Sequence, residues 1–529
     1  MHRRSISNIL FVVLTLMGVA LVPAAAVALW DGTSDGLALV ASAGLMGLVG
    51  VFGYFLTRER REGGRRLSIR DAYLIGAMGW ITAGLAGAIP FLLFAHMQSV
   101  WPEWVSEVPP GTRLCALPED VLHPGREFCS VSNAVFESVS GITTTGASVI
   151  RVGLWDDLSS TLSQGKPGLP RGLLLWRSVI QWLGGMGILV LAVTLLSLAG
   201  VGGLQLLKTE MPGPTPGKLK PRIADTARIL WKLYLVISVA QVVFLMIGGM
   251  DAYNAVSHTF TTMATGGFST LATSVAGMQS AYFEWIITFF MLLAGANFTL
   301  HYLAVFRGSF EYLRNAEFRV YVGLTASVIL LTCGFLWLKG PHDGMMATFR
   351  SASFQTVSIL TTTGFATRDF GLWPPVLQFV LLGLMFVGGC SGSTGGGMKV
   401  IRVQVVALAA YRELTRIIHP RSVSAVRVGH RVVEEAKVQA MVGVVIFFCT
   451  AFVLSSALLA SLGLDIVTSI SAVAACLGNV GPGLGDVGPS LHFFDVPLPG
   501  KWILVFNMLA GRLEIYTIVI LFSPQFWRK

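Results

Sequence analysis

Apolar stretches of about 20 residues, separated by polar or basic connections, make up most of the chain. A run of that length crosses a bilayer as a helix. The pattern predicts ten crossings. Two come first, near residues 8–30 and 37–57, as a hairpin within residues 1–70. One arrangement then recurs four times: a crossing helix, a shorter apolar segment ending at a glycine, and a second crossing helix. These units are expected at 71–207, 229–306, 317–415 and 437–523. The first apolar run, Ile9 to Leu29, follows Arg3 and Arg4 as a secretory signal would. Its length and the second run close behind predict a retained helix.

The segments before the glycines hold only about 11–14 apolar residues, too few to span, so each predicts a helix that re-enters. Irregular backbone is tolerated at that depth only where it lines a watery cavity or is buried in protein. The segments end Thr143-Thr144-Thr145-Gly146, Ala264-Thr265-Gly266, Thr361-Thr362-Thr363-Gly364 and Asn479-Val480-Gly481. Units one and three align at a constant offset of 218 residues, with Phe136, Ser140 and Thr143 to Gly146 falling on Phe354, Ser358 and Thr361 to Gly364. Such self-similarity points to one structural unit used repeatedly. Four glycine loops turning carbonyls inward can replace the hydration shell of a cation without a charged side chain. Half-helices ending there also direct the negative ends of their dipoles toward it. The expected fold is therefore an all-α polytopic membrane protein, with four pseudo-repeats of helix, pore loop and helix around a central ion pore, preceded by an extra two-helix hairpin. Small residues also occur simply as packing positions between membrane helices. Four loops in register argue against that reading.

Composition supports the membrane assignment: 53% of residues are hydrophobic and 12% charged, against about 25% charged in soluble proteins. The net charge of +10 gathers in clusters, namely Arg58 to Arg70, Lys208 to Arg228 and Arg412 to Lys437. Residues 97–132 instead carry Glu103, Glu107, Glu119, Asp120 and Glu127. The positive-inside rule then predicts both termini in the cytoplasm, and the basic balance needs no nucleic acid to explain it. Cys115 and Cys129 fall in the expected external connection, where an oxidising compartment permits a disulfide; the sequence leaves that pairing open. The remaining cysteines lie in apolar segments without metal-ligand spacing.

A glycine-dense run, Gly388 to Gly397, interrupts an apolar stretch from about Pro375 to Ala409. Glycine in a helix interior is unfavourable by roughly 1 kcal/mol against alanine, so a break is expected there. Beneath a filter such a break suits a movable gate, with Gly392, Ser393, Thr394, Gly395 and Gly396 as candidate gating residues. Two enzyme readings fail. The G-x-x-x-x-G spacing is not followed directly by Lys and Ser or Thr, and Gly-Cys-Ser-Gly-Ser does not complete a nucleophile elbow. Arg512 lies deep in the last apolar segment, where a charge marks a functional site by default; pairing with Glu514 or with carbonyls is the purely structural alternative. Lys399 is expected near the cytoplasmic end, where its side chain can snorkel. Glu137 and Arg177 read as structural partners, and His258 as a packing residue.

Several long motifs resemble one known family. They are Gln181-Trp182-Leu183-Gly184-Gly185-Met186-Gly187, Glu210-Met211-Pro212-Gly213-Pro214, Ala294-Gly295-Ala296-Asn297-Phe298, Gly388 to Lys399, and Gly511-Arg512-Leu513-Glu514. Together with the filter loops and the leading hairpin they resemble the TrkH/TrkG branch of the Trk/Ktr/HKT superfamily, along nearly the whole chain. The resemblance implies potassium uptake across a bacterial inner membrane, with K⁺ held at the filter residues and no cofactor in this chain. It implies a third-unit loop that blocks the pore, with Arg512 facing it. It also implies a homodimer that binds a cytoplasmic TrkA-type nucleotide-binding regulatory subunit. The all-glycine filter is the version expected for potassium over sodium. One key glycine per unit predicts a short filter that also accepts rubidium. The alternatives are proton-coupled potassium symport and a sodium-permeable transporter of the same fold.

Overall fold

The structure, a computed structural model, describes residues 3–58, 68–97, 99–100, 112–117, 125–151, 169–187, 223–339, 344–422 and 424–528. Its regular elements are helices apart from two antiparallel pairs of two-residue strands, Ser99–Val100 with Thr112–Arg113 and Arg427–Val428 with Arg431–Val432.

The leading hairpin comprises α1 (Arg3–Ala20), α2 (Val22–Asp31) and α3 (Gly36–Thr57). Pro23, in the first turn of α2, marks the joint between α1 and α2, consistent with proline's missing amide. Glycines bring α1 and α3 together: a methyl built at Gly18 would come within 3.0 Å of the Ala43 carbonyl oxygen, and one at Gly50 within 2.9 Å of that of Phe11. This is close packing through small residues, as membrane helices use in the absence of a hydrophobic drive between them. The hairpin packs against α4 (Ile69–Met97), with Met17, Ala28, Leu39 and Ile75 inside one apolar core.

After α4 come α5 (Val131–Ile142), α6 (Arg171–Gly185), α7 (Ile223–Ile247), α8 (Ala252–Met263), α9 (Ala281–Ala294) and α10 (Phe298–Arg307). They are followed by α11 (Ala316–Lys339), α12 (Met345–Leu360), α13 (Pro375–Val387), α14 (Val400–Ile418), α15 (Glu435–Ser461), α16 (Ile466–Leu477), α17 (Leu498–Arg512), α18 (Tyr516–Phe522) and α19 (Pro524–Trp527). Among the described residues the order long helix, short helix, interrupted helix occurs at α7–α10, α11–α14 and α15–α18. Among the described residues six helices are long and apolar enough to cross a membrane, and up to eight if each bent pair is one span. The two other expected crossings begin with α6 and α13, of 15 and 13 residues. Helix α6 runs toward residues 188–222, outside the described residues, as does the expected unit boundary at 207.

The broken second helices go beyond the sequence expectation, which placed a break only at Gly388. Helices α9 and α10 bend by 98° at Gly295 to Asn297, and α17 and α18 by 116° just after Arg512. Each joint carries a glycine, which relieves crowding where backbones meet: a methyl at Gly295 would come within 2.7 Å of Thr361, and one at Gly511 within 2.8 Å of Asn479.

Cys115 and Cys129 are disulfide-bonded, with their Cα atoms 5.6 Å apart. The bridge ties the connection after α4 to the residues just before α5.

Candidate cation pathway

The short helices α5, α8, α12 and α16 all end in the same way. In each, the residue after the helix cap adopts a left-handed conformation: Thr144 (φ 55°), Thr265 (φ 53°), Thr362 (φ 61°) and Asn479 (φ 54°). Two backbone hydrogen bonds close each end. Thr144 N donates to Gly141 O and Thr145 N to Ser140 O (3.0 and 2.9 Å), and Thr362 N to Ile359 O and Thr363 N to Ser358 O (3.1 and 2.8 Å). This is the Schellman pattern, whose left-handed position is normally glycine. A left-handed conformation is unfavourable for a residue with a Cβ by roughly 1–2 kcal/mol, more so where the side chain is branched. Threonine at three of the four positions and asparagine at the fourth place oxygen-bearing side chains where glycine would be easier.

Two residues further on, Gly146, Gly267, Gly364 and Gly481 again have positive φ (84°, 76°, 80° and 104°). The second unit therefore corrects the sequence register: Gly267, not Gly266, is the counterpart of Gly146. Gly266 is glycine for another reason. The Gln181 side chain from α6 lies where its Cβ would be, with Oε1 2.6 Å from that point. Gln181 Nε2 donates to Gly266 O (2.7 Å), and its Oε1 accepts from Phe268 N (3.1 Å). Sequence reasoning missed this clamp on the second loop, because its partners are 85 residues apart.

The four loops meet in a closed cycle. A methyl built at Gly146 would overlap the carbonyl oxygen of Gly266, one at Gly267 that of Thr363, and one at Gly364 that of Val480. One at Gly481 would come within 2.7 Å of the carbonyl oxygen of Thr145, which closes the ring. Each missing side chain thus leaves room for the next loop's carbonyl. Four helix C-termini also converge here, each carrying roughly half a negative charge. The residues that follow the glycines, among them Ser148, Phe268, Ala366, Pro482 and Phe493, line a cavity of about 90 Å³ at one mouth of the ring.

Buried polar contacts brace this mouth. Arg177 Nε donates to Glu137 Oε1 (2.8 Å), and the Glu137 carboxylate accepts from Ser148 Oγ (3.0 Å) and Val149 N (3.0 Å). The guanidinium stacks on Phe268 at 4.0 Å. The pair thereby joins the first and second loops. His258 has both ring nitrogens engaged, with Asn254 O (2.9 Å) and Ser269 Oγ (3.0 Å).

At the other mouth lies the segment from Gly388 to Lys399, between α13 and α14. Gly396 N donates to Thr362 Oγ1 (2.7 Å), and a methyl at Gly396 would come within 2.5 Å of the Gly478 carbonyl oxygen. Gly395 sits against the Thr361 carbonyl. Cys390 N and Thr394 N donate to Gly295 O and Ala294 O (2.8 and 3.3 Å), and Phe298 N to Gly392 O (3.0 Å), so the bend between α9 and α10 holds the segment from the side. Ser393 Oγ turns onto its own segment, donating to Cys390 O (2.6 Å).

Arg512 donates to Thr394 O (2.8 Å), Gly184 O (2.5 Å) and Gly185 O (3.2 Å). It bridges the third-unit segment to the end of α6. Glu514 is instead the partner of Arg402. Lys399 differs from the snorkelling expectation. It is buried, has a left-handed backbone (φ 72°), and turns its ammonium back onto the Gly395 carbonyl.

A family model described as TrkH, cation transport protein, matches residues 123–340 and 343–529. The chain belongs to the TrkH family. It is 39% identical over 538 residues to the Trk system potassium uptake protein TrkH of Vibrio parahaemolyticus, covering 100% of both chains. It is 38% identical over 473 residues to the protein of the same description from Escherichia coli strain K12, covering 89% of this chain and 88% of that one. The crystal structure of the potassium transporter TrkH from V. parahaemolyticus superposes with a TM-score of 0.82 at 36% identity, over 100% of both chains. Membership of a family of cation transport proteins, with the apolar helices of this fold, makes the chain a multi-pass membrane transporter and not an enzyme.

Proposed function

We propose that this TrkH-family chain takes up potassium through a short filter formed by the four-loop ring and closed from below by the Gly388–Lys399 segment. The closed cycle of glycines and carbonyls carries the reading. It provides neutral oxygen ligands from four directions, as a dehydrated monovalent cation requires. The relatives' description as potassium uptake proteins agrees with it. Thr143 to Gly146, Ala264 to Gly267, Thr361 to Gly364 and Asn479 to Gly481 would form the filter. Gly392 to Gly396, Lys399 and Arg512 would form the gate. The four units at 71–207, 229–306, 317–415 and 437–523 would then be pseudo-repeats around the pore, with the 1–70 hairpin outside it.

The basic clusters favour a bacterial inner-membrane orientation with both termini cytoplasmic, so that the 90 Å³ cavity faces outward. A homodimer carrying a TrkA-type nucleotide-binding subunit on the basic cytoplasmic connections completes the proposal. For the coupled-symport reading, the titrating side chains beside the ring among the described residues are His258, fully buried with both nitrogens occupied, and Glu137, buried and paired with Arg177. Planar-bilayer recordings of the purified chain test the proposal. The expected reversal potential follows the potassium gradient and ignores an imposed pH gradient; one that tracks protons, or sodium in preference to potassium, would overturn it.

A further inference from the structure

Helix α10 and the connection to α11 form a surface that the cation pathway leaves unused. The 98° bend after α9 turns α10 out of the direction of that crossing and along the membrane face. The next crossing, α11, begins at Ala316, so residues 298–315 lie where a span leaves the bilayer. Glu317, in the first turn of α11, accepts from Ser391 N (2.5 Å), which puts this surface on the side of the Gly388–Lys399 segment. Internal bonds hold it in shape. Phe298 N donates to Gly392 O (3.0 Å) and Ser309 N to Leu303 O (3.1 Å). His301 Nε2 donates to Leu293 O (2.9 Å), which leaves Nδ1 to accept from the Tyr312 hydroxyl (2.7 Å).

Two kinds of side chain face outward from this frame. Val305, Phe306, Phe310 and Leu313 are between 56% and 78% exposed. Arg307, Arg314 and Arg319 stand among them in sequence and are exposed as well. Residues 298–319 hold two acids. Glu317 is buried against Ser391, which leaves Glu311 as the exposed one. Aromatic and leucine side chains beside arginines suit the boundary between acyl chains and headgroups. There the apolar groups dip inward and the guanidinium groups snorkel to the phosphates, which they match with paired hydrogen bonds. A second copy of the chain fits less well. A two-fold contact sets the same patch against itself, and so brings like charges together.

We infer that this face binds anionic phospholipid, with Phe306, Phe310 and Leu313 among the acyl chains and Arg307, Arg314 and Arg319 at the headgroups. The selectivity is for headgroup charge. Each arginine near an anionic surface strengthens binding by about five-fold, a gain that a zwitterionic headgroup does not give. In the orientation proposed above, the lipid belongs to the inner leaflet.

The test places the full-length chain in phosphatidylcholine liposomes doped with a photoactivatable phosphatidylglycerol or a photoactivatable phosphatidylcholine, and maps the labelled peptides by mass spectrometry. Residues 298–319 should take the phosphatidylglycerol label in preference, displaced by unlabelled phosphatidylglycerol and not by inorganic phosphate. Arg307→Gln, Arg314→Gln and Arg319→Gln combined should weaken that binding by up to about 100-fold. Glu311→Gln should strengthen it by up to about five-fold, a gain that misfolding does not produce. Equal labelling by the two lipids overturns the inference, since it leaves an ordinary lipid-facing surface. Displacement by inorganic phosphate overturns it in favour of a free-anion site. Absence of label from both lipids overturns it in favour of a face covered by a second copy or another protein. The labelling reads no transport, so its failure leaves the filter reading standing, and a failed filter reading leaves the labelling result intact.

Discussion

Replacing Arg512 by alanine should open the pathway. Its guanidinium reaches two separate elements, donating to the Thr394 carbonyl of the Gly388–Lys399 segment, the proposed gate, and to the Gly184 and Gly185 carbonyls at the end of α6. Only the bond to Thr394, at 2.8 Å, bears directly on the gate segment. A hydrogen bond to a charged donor is worth about 1.5–3 kcal/mol, so its loss should shift the segment toward release by about 10- to 100-fold. Removal of a positive charge beneath the ring also lowers the barrier to a cation, which acts in the same direction. Arg512→Lys separates the two effects, because an ammonium keeps the charge but lacks the planar fork that spans both elements. Rubidium uptake into liposomes without any regulatory partner is the assay. Basal uptake should rise strongly in Arg512→Ala and partly in Arg512→Lys. Uptake no higher than wild type in Arg512→Ala, at normal protein yield, would refute the role of this bridge.

Gly146→Ser should admit more sodium, because the added side chain overlaps the Gly266 carbonyl; Gly267→Ser should do the same at the Thr363 carbonyl, and unchanged permeability ratios in both would count against the ring as filter. Breaking the buried pair with Glu137→Gln leaves Arg177 uncompensated and should destabilise the chain by about 3–5 kcal/mol, read as a lower thermal midpoint in detergent, whereas an unchanged midpoint would show that the pair braces nothing. Burial raises the Glu127 carboxyl from 4.5 to about 7, against the opposing effect of Arg151 at 2.9 Å. A raised carboxylate pKa means that the folded chain binds the proton more tightly, so stability is greatest below pH 4.5 and is lost as pH rises through 7, by about 3 kcal/mol. Glu127→Gln should remove that slope from the pH dependence of the midpoint; a slope that persists would place its origin elsewhere.

The short helices were legible because each apolar segment stops well before the length of a span and ends in small residues. Their order around the ring was not, since it rests on contacts between loops far apart in sequence. The register of the second loop went astray at Gly266-Gly267, where two adjacent glycines serve different purposes. One gives way to Gln181 and the other takes the left-handed torsion. The Gly388–Lys399 segment announced itself by its glycine density. The bends at Gly295 and Gly511 did not, because a single glycine is tolerated inside many membrane helices. Arg512 was found as a charge in an apolar segment, yet the carbonyls it holds come from α6 and the Gly388–Lys399 segment. Lys399 was misread for a related reason. Nearness to a helix end suggests water as its partner, while the left-handed turn at Lys399 sends it back to Gly395.

The most direct test is cation flux into liposomes containing the purified chain, comparing K⁺, Rb⁺, Na⁺ and Li⁺ with and without an imposed pH gradient. A filter of four carbonyl loops predicts flux of K⁺ and Rb⁺ well above Na⁺ and Li⁺, at rates indifferent to the pH gradient. Flux that follows protons, or that prefers sodium, would contradict it.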